Sequence, residues 1–103
     1  MRASSPSSDN IGHPTRAVSY SSQVALPFTH LKIATGVAVD TAGDLYVTDY
    51  YTNEVWKLAA GAGAPTVLPF PALKNPGGVA VDSTGNLYVA DSINDRVLKL
   101  PVG

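Results

Sequence analysis

Apolar residues along this chain gather in runs of three to five, too short and too continuous to be helical stripes. "GVAV" (36–39), "LYVT" (45–48) and "EVWKL" (54–58) return as "GVAV" (78–81), "LYVA" (87–90) and "RVLKL" (96–100), and "PTVLPF" (65–70) stands between the two sets. Short runs rich in β-branched and aromatic residues, bounded by Gly, Asn and Asp, predict strands. "DTAGD" and "DSTGN" predict three-residue hairpin loops, with Gly43 and Gly85 in the left-handed position that strains a residue with a Cβ. "YYTN" and "SIND" turn the second strand of each set into the third. The inner runs do not alternate apolar with polar, so both faces of these strands call for cover.

Aligning residues 26–61 with 68–103, without a gap, gives 19 identities in 36 positions. Self-similarity at a spacing of 42 residues is the mark of a repeat architecture, and the length suits one four-stranded propeller blade. An open sandwich would leave polar outer faces, whereas blades packed around an axis bury both sides of their inner strands. The expected fold is therefore all-β, with two blades per chain: 36–70 as the first and 78–103 as the second, which lacks its own outer strand.

The segment Gln23, Val24, Ala25, Leu26, Pro27 and Phe28 matches the fourth run by register and reads as a spare outer strand, so that 23–103 forms one propeller segment. Two blades cannot close a ring, since propellers use about four to eight. Head-to-tail association, in which each copy's 23–28 strand completes the next copy's last blade, would resolve both the spare strand and the vacancy. A homotrimer with six blades is the expectation, and the competing reading is a fragment of a longer propeller. Residues 1–22 are rich in serine and poor in large aliphatics, which predicts a disordered tail.

"PGGVAVDSTGNLYVADSINDRVLKL", Pro76 to Leu100, resembles an NHL repeat. The surrounding "VLPF" is similar to the blades of the extracellular sensor propeller of a mycobacterial receptor serine/threonine kinase. The resemblance implies a six-bladed propeller whose first strands line the axis and whose fourth strands form the rim. It also implies a binding platform for protein, peptide, glycan or RNA, although some relatives are lyases. The first copy departs from the pattern, with Ala34 at the proline position and Glu54 where the second has Arg96. An Asp91 to Arg96 pairing is expected in the second blade, and Asp49 with Glu54 cannot repeat it.

Composition narrows the chemistry. There are no cysteines, which excludes disulfides and thiolate ligands, and the net charge of −1 gives no pull toward nucleic acid or an anionic membrane. The chain lacks an apolar run of membrane-spanning length and the apolar core of a secretory signal, so it reads as soluble, with its compartment undetermined. Asp40 and Asp82, before the hairpin loops, and Asp49 and Asp91, before the next turns, read as turn-capping carboxylates rather than an acid–base pair. His30 has no second histidine at ligand spacing and corresponds to Ala72, so no metal site and no cofactor are expected. Trp56 reads as packing between blades.

No nucleophile motif and no phosphate-binding loop is present. In a propeller, the loops entering each blade share a face with the turns between its second and third strands. That places Lys32, Tyr50, Tyr51, Asn53, Lys74, Asn75, Ser92 and Asn94 on one candidate ligand-binding face. Two tyrosines among lysines suit a protein, peptide or glycan, and the plainer reading is a solvated rim. A non-catalytic binding or sensor module is the favoured function, with a lyase-type enzyme as the rival.

Overall fold

The computed structural model describes residues 17–103, and the tail reading for 1–16 lies outside the described residues. Residues 17–22 are exposed and carry no regular structure. Seven strands follow: β1 (Ala34–Val39), β2 (Leu45–Asp49), β3 (Glu54–Leu58), β4 (Thr66–Val67), β5 (Pro76–Val81), β6 (Leu87–Asp91) and β7 (Arg96–Leu100). They form two antiparallel meanders, β1-β2-β3-β4 and β5-β6-β7, in the order of the sequence. The first hairpin pairs Val37 with Val47 and the second pairs Val79 with Val89, so the two copies share one register.

Local chemistry explains the turns. Asp40 N–H donates to the Asp44 carbonyl (3.0 Å) and Gly43 N–H to the Asp40 carbonyl (3.1 Å), closing a three-residue loop; Gly43 sits at φ 88° and its counterpart Gly85 at 104°. Beyond the loop, Tyr46 Oη donates to Asp40 Oδ2 at 2.8 Å and Tyr88 Oη to Asp82 Oδ2 at 2.9 Å. The lysines opposite these tyrosines, Lys57 and Lys99, each lie 5.8 Å from the ring centroid. A carboxylate, a phenol and an ammonium thus stitch all three long strands together at this end of each blade. Asn86 and then Tyr88 hold the Asp82 carboxyl down at about 2, while burial and the Asp40 bond push the Tyr46 phenol up to about 12.

Several sequence boundaries move. β1 and β5 begin at Ala34 and Pro76, two residues ahead of "GVAV", because an irregularity between Ala34 and Gly36, repeated at Pro76 and Gly78, extends each ladder. The fourth run pairs only through Thr66 and Val67; Leu68 N–H still reaches the Val55 carbonyl (2.9 Å), and Pro69, with no N–H, ends the ladder. "SIND" forms a short 3-10 turn at Ser92–Asn94 rather than a plain bend, and Asp95 leaves it at φ 52°. Residues 23–28 join no ladder among the described residues.

The blades pack face to face, with β1 and β5 side by side. Gly36 makes this approach feasible: a Cβ there would lie 2.9 Å from Gly78 Cα and 3.2 Å from Val79 N. Between the blades, Val55, Leu73 and Val89 form the buried core, flanked by Leu68, Phe70, Val79 and Leu98. Each such side chain removed from water contributes about 1.5–3 kcal/mol, and Tyr46, Val47, Leu58 and Leu87 are buried outside this cluster. The outer side differs from expectation. Val37 and Val39 are 65% and 58% exposed, so the inner strand of the first blade is covered on one face only.

Candidate functional site

The loop face is built on two buried carboxylates. Asp49 and Asp91 end β2 and β6 and are wholly inaccessible to solvent. Asp49 Oδ2 accepts the Lys32 amide (2.6 Å), and Oδ1 accepts those of Ile33 (3.2 Å), Tyr51 (3.0 Å) and Thr52 (3.2 Å). Asp91 Oδ1 accepts the Lys74 amide (2.7 Å), and Oδ2 accepts Asn94 Nδ2 (2.8 Å) and Arg96 Nε (2.7 Å). The expected Asp91–Arg96 pair is formed, and Asp49 has four amides in its place.

Both aspartates therefore do more than cap the following turn. Each reaches back seventeen residues to tie the loop entering its blade to the turn between its second and third strands. Burial pushes the Asp49 carboxyl up, but the amides of Lys32, Ile33, Thr52 and Tyr51 outweigh it and the net shift is down. The Lys74 amide, with Asn94 and Arg96, holds Asp91 below the usual carboxylate range despite burial. Asp40 is lowered too, chiefly by the Tyr46 phenol.

Carboxyls held low in the folded state add stability that is fully present above their unfolded pKa and is lost as pH falls through the folded values. Acid unfolding, followed by circular dichroism, is therefore expected to begin below about pH 4 and to progress toward pH 2. A transition centred above pH 5 would show that these carboxylates do not govern it.

A second set of bonds spans the two blades. Asn53 Oδ1 accepts the Asn75 amide (2.7 Å), Asn75 Nδ2 donates to the Tyr50 carbonyl (2.9 Å), and Thr35 Oγ1 donates to the Pro76 carbonyl (2.8 Å). Beside this clamp opens a cleft of about 640 Å³ lined by Asn53, Ala72, Leu73, Lys74, Asn94 and Arg96. Its floor is the apolar Leu73 and its walls are amide and cationic. Arg96 Nε is taken by Asp91, but its side chain remains nearly half exposed.

The eight residues assigned from sequence separate into two groups. Asn53, Asn75 and Asn94 are structural first, each holding backbone or Asp91 in place, and Ser92 Oγ packs where a Cβ on Gly77 would sit, 2.6 Å away. Lys32, Lys74, Tyr50 and Tyr51 are exposed. Arg96, Ala72 and Leu73 also line the cleft and were not part of the set. Arg96 stands two residues after Asn94, at the start of a strand that rises from the same face, which is the signal that places it there.

The corresponding residues at the first blade are Lys32, Thr52 and Glu54, so the second blade alone carries a lysine with an arginine. His30, matching Ala72, stacks on Trp56 with ring centroids 5.5 Å apart and an interplanar angle of 8°. Trp56 thus packs within its own chain against a loop residue. Among the described residues, no three His, Asp or Glu side chains converge at metal-binding distance.

The NHL repeat model matches residues 31–58 and 73–100, which together make up more than half of the chain. The chain belongs to the NHL-repeat family. The two NHL matches cover β1–β3 and β5–β7 with their entering loops and leave out β4, so the Asp49 and Asp91 networks lie inside NHL units. No curated protein matches the sequence. No helix among the described residues is long and apolar enough to cross a membrane.

Proposed function

We propose that this NHL protein is a non-catalytic binding module that presents its loop face to a protein, peptide or glycan carrying an acidic group. The observation that carries this reading is the cleft between the blades, with Leu73 at its floor and Lys74 and Arg96 on its walls. The four repeated aspartates are engaged as acceptors of structural bonds, which leaves them poorly suited to proton transfer. A ring of three copies, giving six blades, would complete the platform.

Screening immobilised peptides and glycans tests the reading. Ligands retained by the wild-type chain are expected to weaken at least tenfold in Lys74→Glu and to be unaffected by Lys99→Glu, which lies beside Tyr88 at the other end of the blade. Retained ligands indifferent to Lys74→Glu, or no retained ligand, would overturn it.

A further inference from the structure

The contact between the blades repeats only once within the chain, yet the residues that make it occur twice. Its core and flanks are Val55, Leu68, Phe70, Leu73, Val79, Val89 and Leu98. Shifted by 42 positions, Val55 becomes Val97, and the others become Leu26, Phe28, Leu31, Val37, Val47 and Trp56. Six of the seven keep their residue type, and the seventh exchanges Leu98 for Trp56. Burial does not follow suit. Val55 is fully buried while Val97 is 69% exposed, and Val37 and Leu26 are 65% and 50% exposed, whereas Val47, at 6%, is nearly as buried as Val89.

We infer that these two faces, open at Val97 on one and at Leu26 and Val37 on the other, are the halves of one interface, and that a second copy of the chain occupies each. The Val97 face of one copy meets the Val37, Val47 and Trp56 face of the next, in the geometry the chain already uses between its own blades. Residues 23–28 then find a ladder. β4 pairs with β3 through Trp56 with Val67 and Lys57 with Thr66, so Val24 and Ala25 of the second copy would lie beside Lys99 and Leu98 on the open edge of β7. An unpaired edge flanked by exposed apolar side chains is the kind of surface that β-augmentation covers.

Glycine gives an independent mark. Gly36 is required because the second blade's backbone lies against it, whereas Gly78, its counterpart, has nothing within 4 Å of where a Cβ would be. A glycine is unneeded at that place in an isolated chain. It is needed if the Gly36 backbone of another copy lies against it.

The contact between copies would be the weaker of the two. Asn75 and Thr35 supply two cross-blade bonds, and their counterparts, Ile33 and Gly77, cannot. Copies are therefore expected to separate on dilution before blades do. A head-to-tail contact closes when its rotation allows, and the range of about four to eight blades corresponds to rings of two to four copies.

The interface deepens the ring proposed above and is tested apart from ligand binding, because the Lys74 cleft lies within one chain. Native mass spectrometry and light scattering of the full chain at high micromolar concentration should give a mass of two or more whole multiples of 10.7 kDa. Gly78→Val and, separately, Val97→Asp should each reduce the mass to that of one chain with an unchanged far-ultraviolet circular dichroism spectrum. Val97→Asp alters a side chain already in solvent, so it keeps the test decisive if Gly78→Val misfolds. A single-chain mass for the wild type, or an assembly that survives Val97→Asp, would overturn the inference.

Discussion

Asp49→Ala is expected to lower stability by about 4 kcal/mol or more, and Asp49→Asn by about 2 kcal/mol, in urea denaturation. The carboxylate is buried and accepts four backbone amides drawn from both sides of the blade. Alanine would leave all four without a partner, and an unsatisfied buried donor costs about 1–3 kcal/mol, partly relieved where water can enter. Asparagine can keep the three bonds to Oδ1 but turns an N–H toward the Lys32 amide. A small domain has only about 5–15 kcal/mol in total, so the alanine variant should lose a large share of its stability and unfold at a markedly lower urea concentration. Loss of less than 1 kcal/mol in Asp49→Ala would mean that the entering loop holds its place by other means.

Gly36→Val should separate the blades, whereas Gly78→Val should leave the isolated chain as stable as the wild type. At Gly36 the nearest atoms to an added Cβ are Gly78 Cα, Thr48 Oγ1 and Val79 N, and backbone cannot give way as a side chain can. Even a methyl group forced into a packed contact costs about 1–3 kcal/mol, and valine adds two more carbons. The same strain would open the Val55–Leu73–Val89 core, so binding of a hydrophobic dye should rise together with the loss of stability. Equal stability of the two variants would show that the close approach of β1 and β5 is not what joins the blades.

What the sequence made legible was what is decided locally. Gly43 and Gly85 announce their loops because the left-handed position is nearly specific to glycine, and the Asp91–Arg96 pair spans only a turn. The 42-residue period gave the meanders, since each blade is one contiguous segment. The aspartate bonds to Lys32 and Lys74 could not be read, because their donors are backbone amides that any residue would supply. The Asp40–Tyr46 and Asp82–Tyr88 bonds were within reach: a three-residue loop puts residue 46 diagonally across from residue 40, on the same face. Arg96 was recognised as a salt-bridge partner and not as a cleft wall, since its second neighbourhood, Leu73 and Ala72, comes from a loop outside its blade.

For the binding role proposed above, the difference between Glu54 and Arg96 would set the valence of the molecule. The two blades are nearly alike in backbone, but only one entering loop stands beside paired cations, so an acidic ligand is expected to bind once per chain and not once per blade. In any larger assembly such sites would alternate with acidic ones around the rim of the loop face. A multivalent ligand would then have to match the spacing of every second blade, and its avidity would depend on that stride.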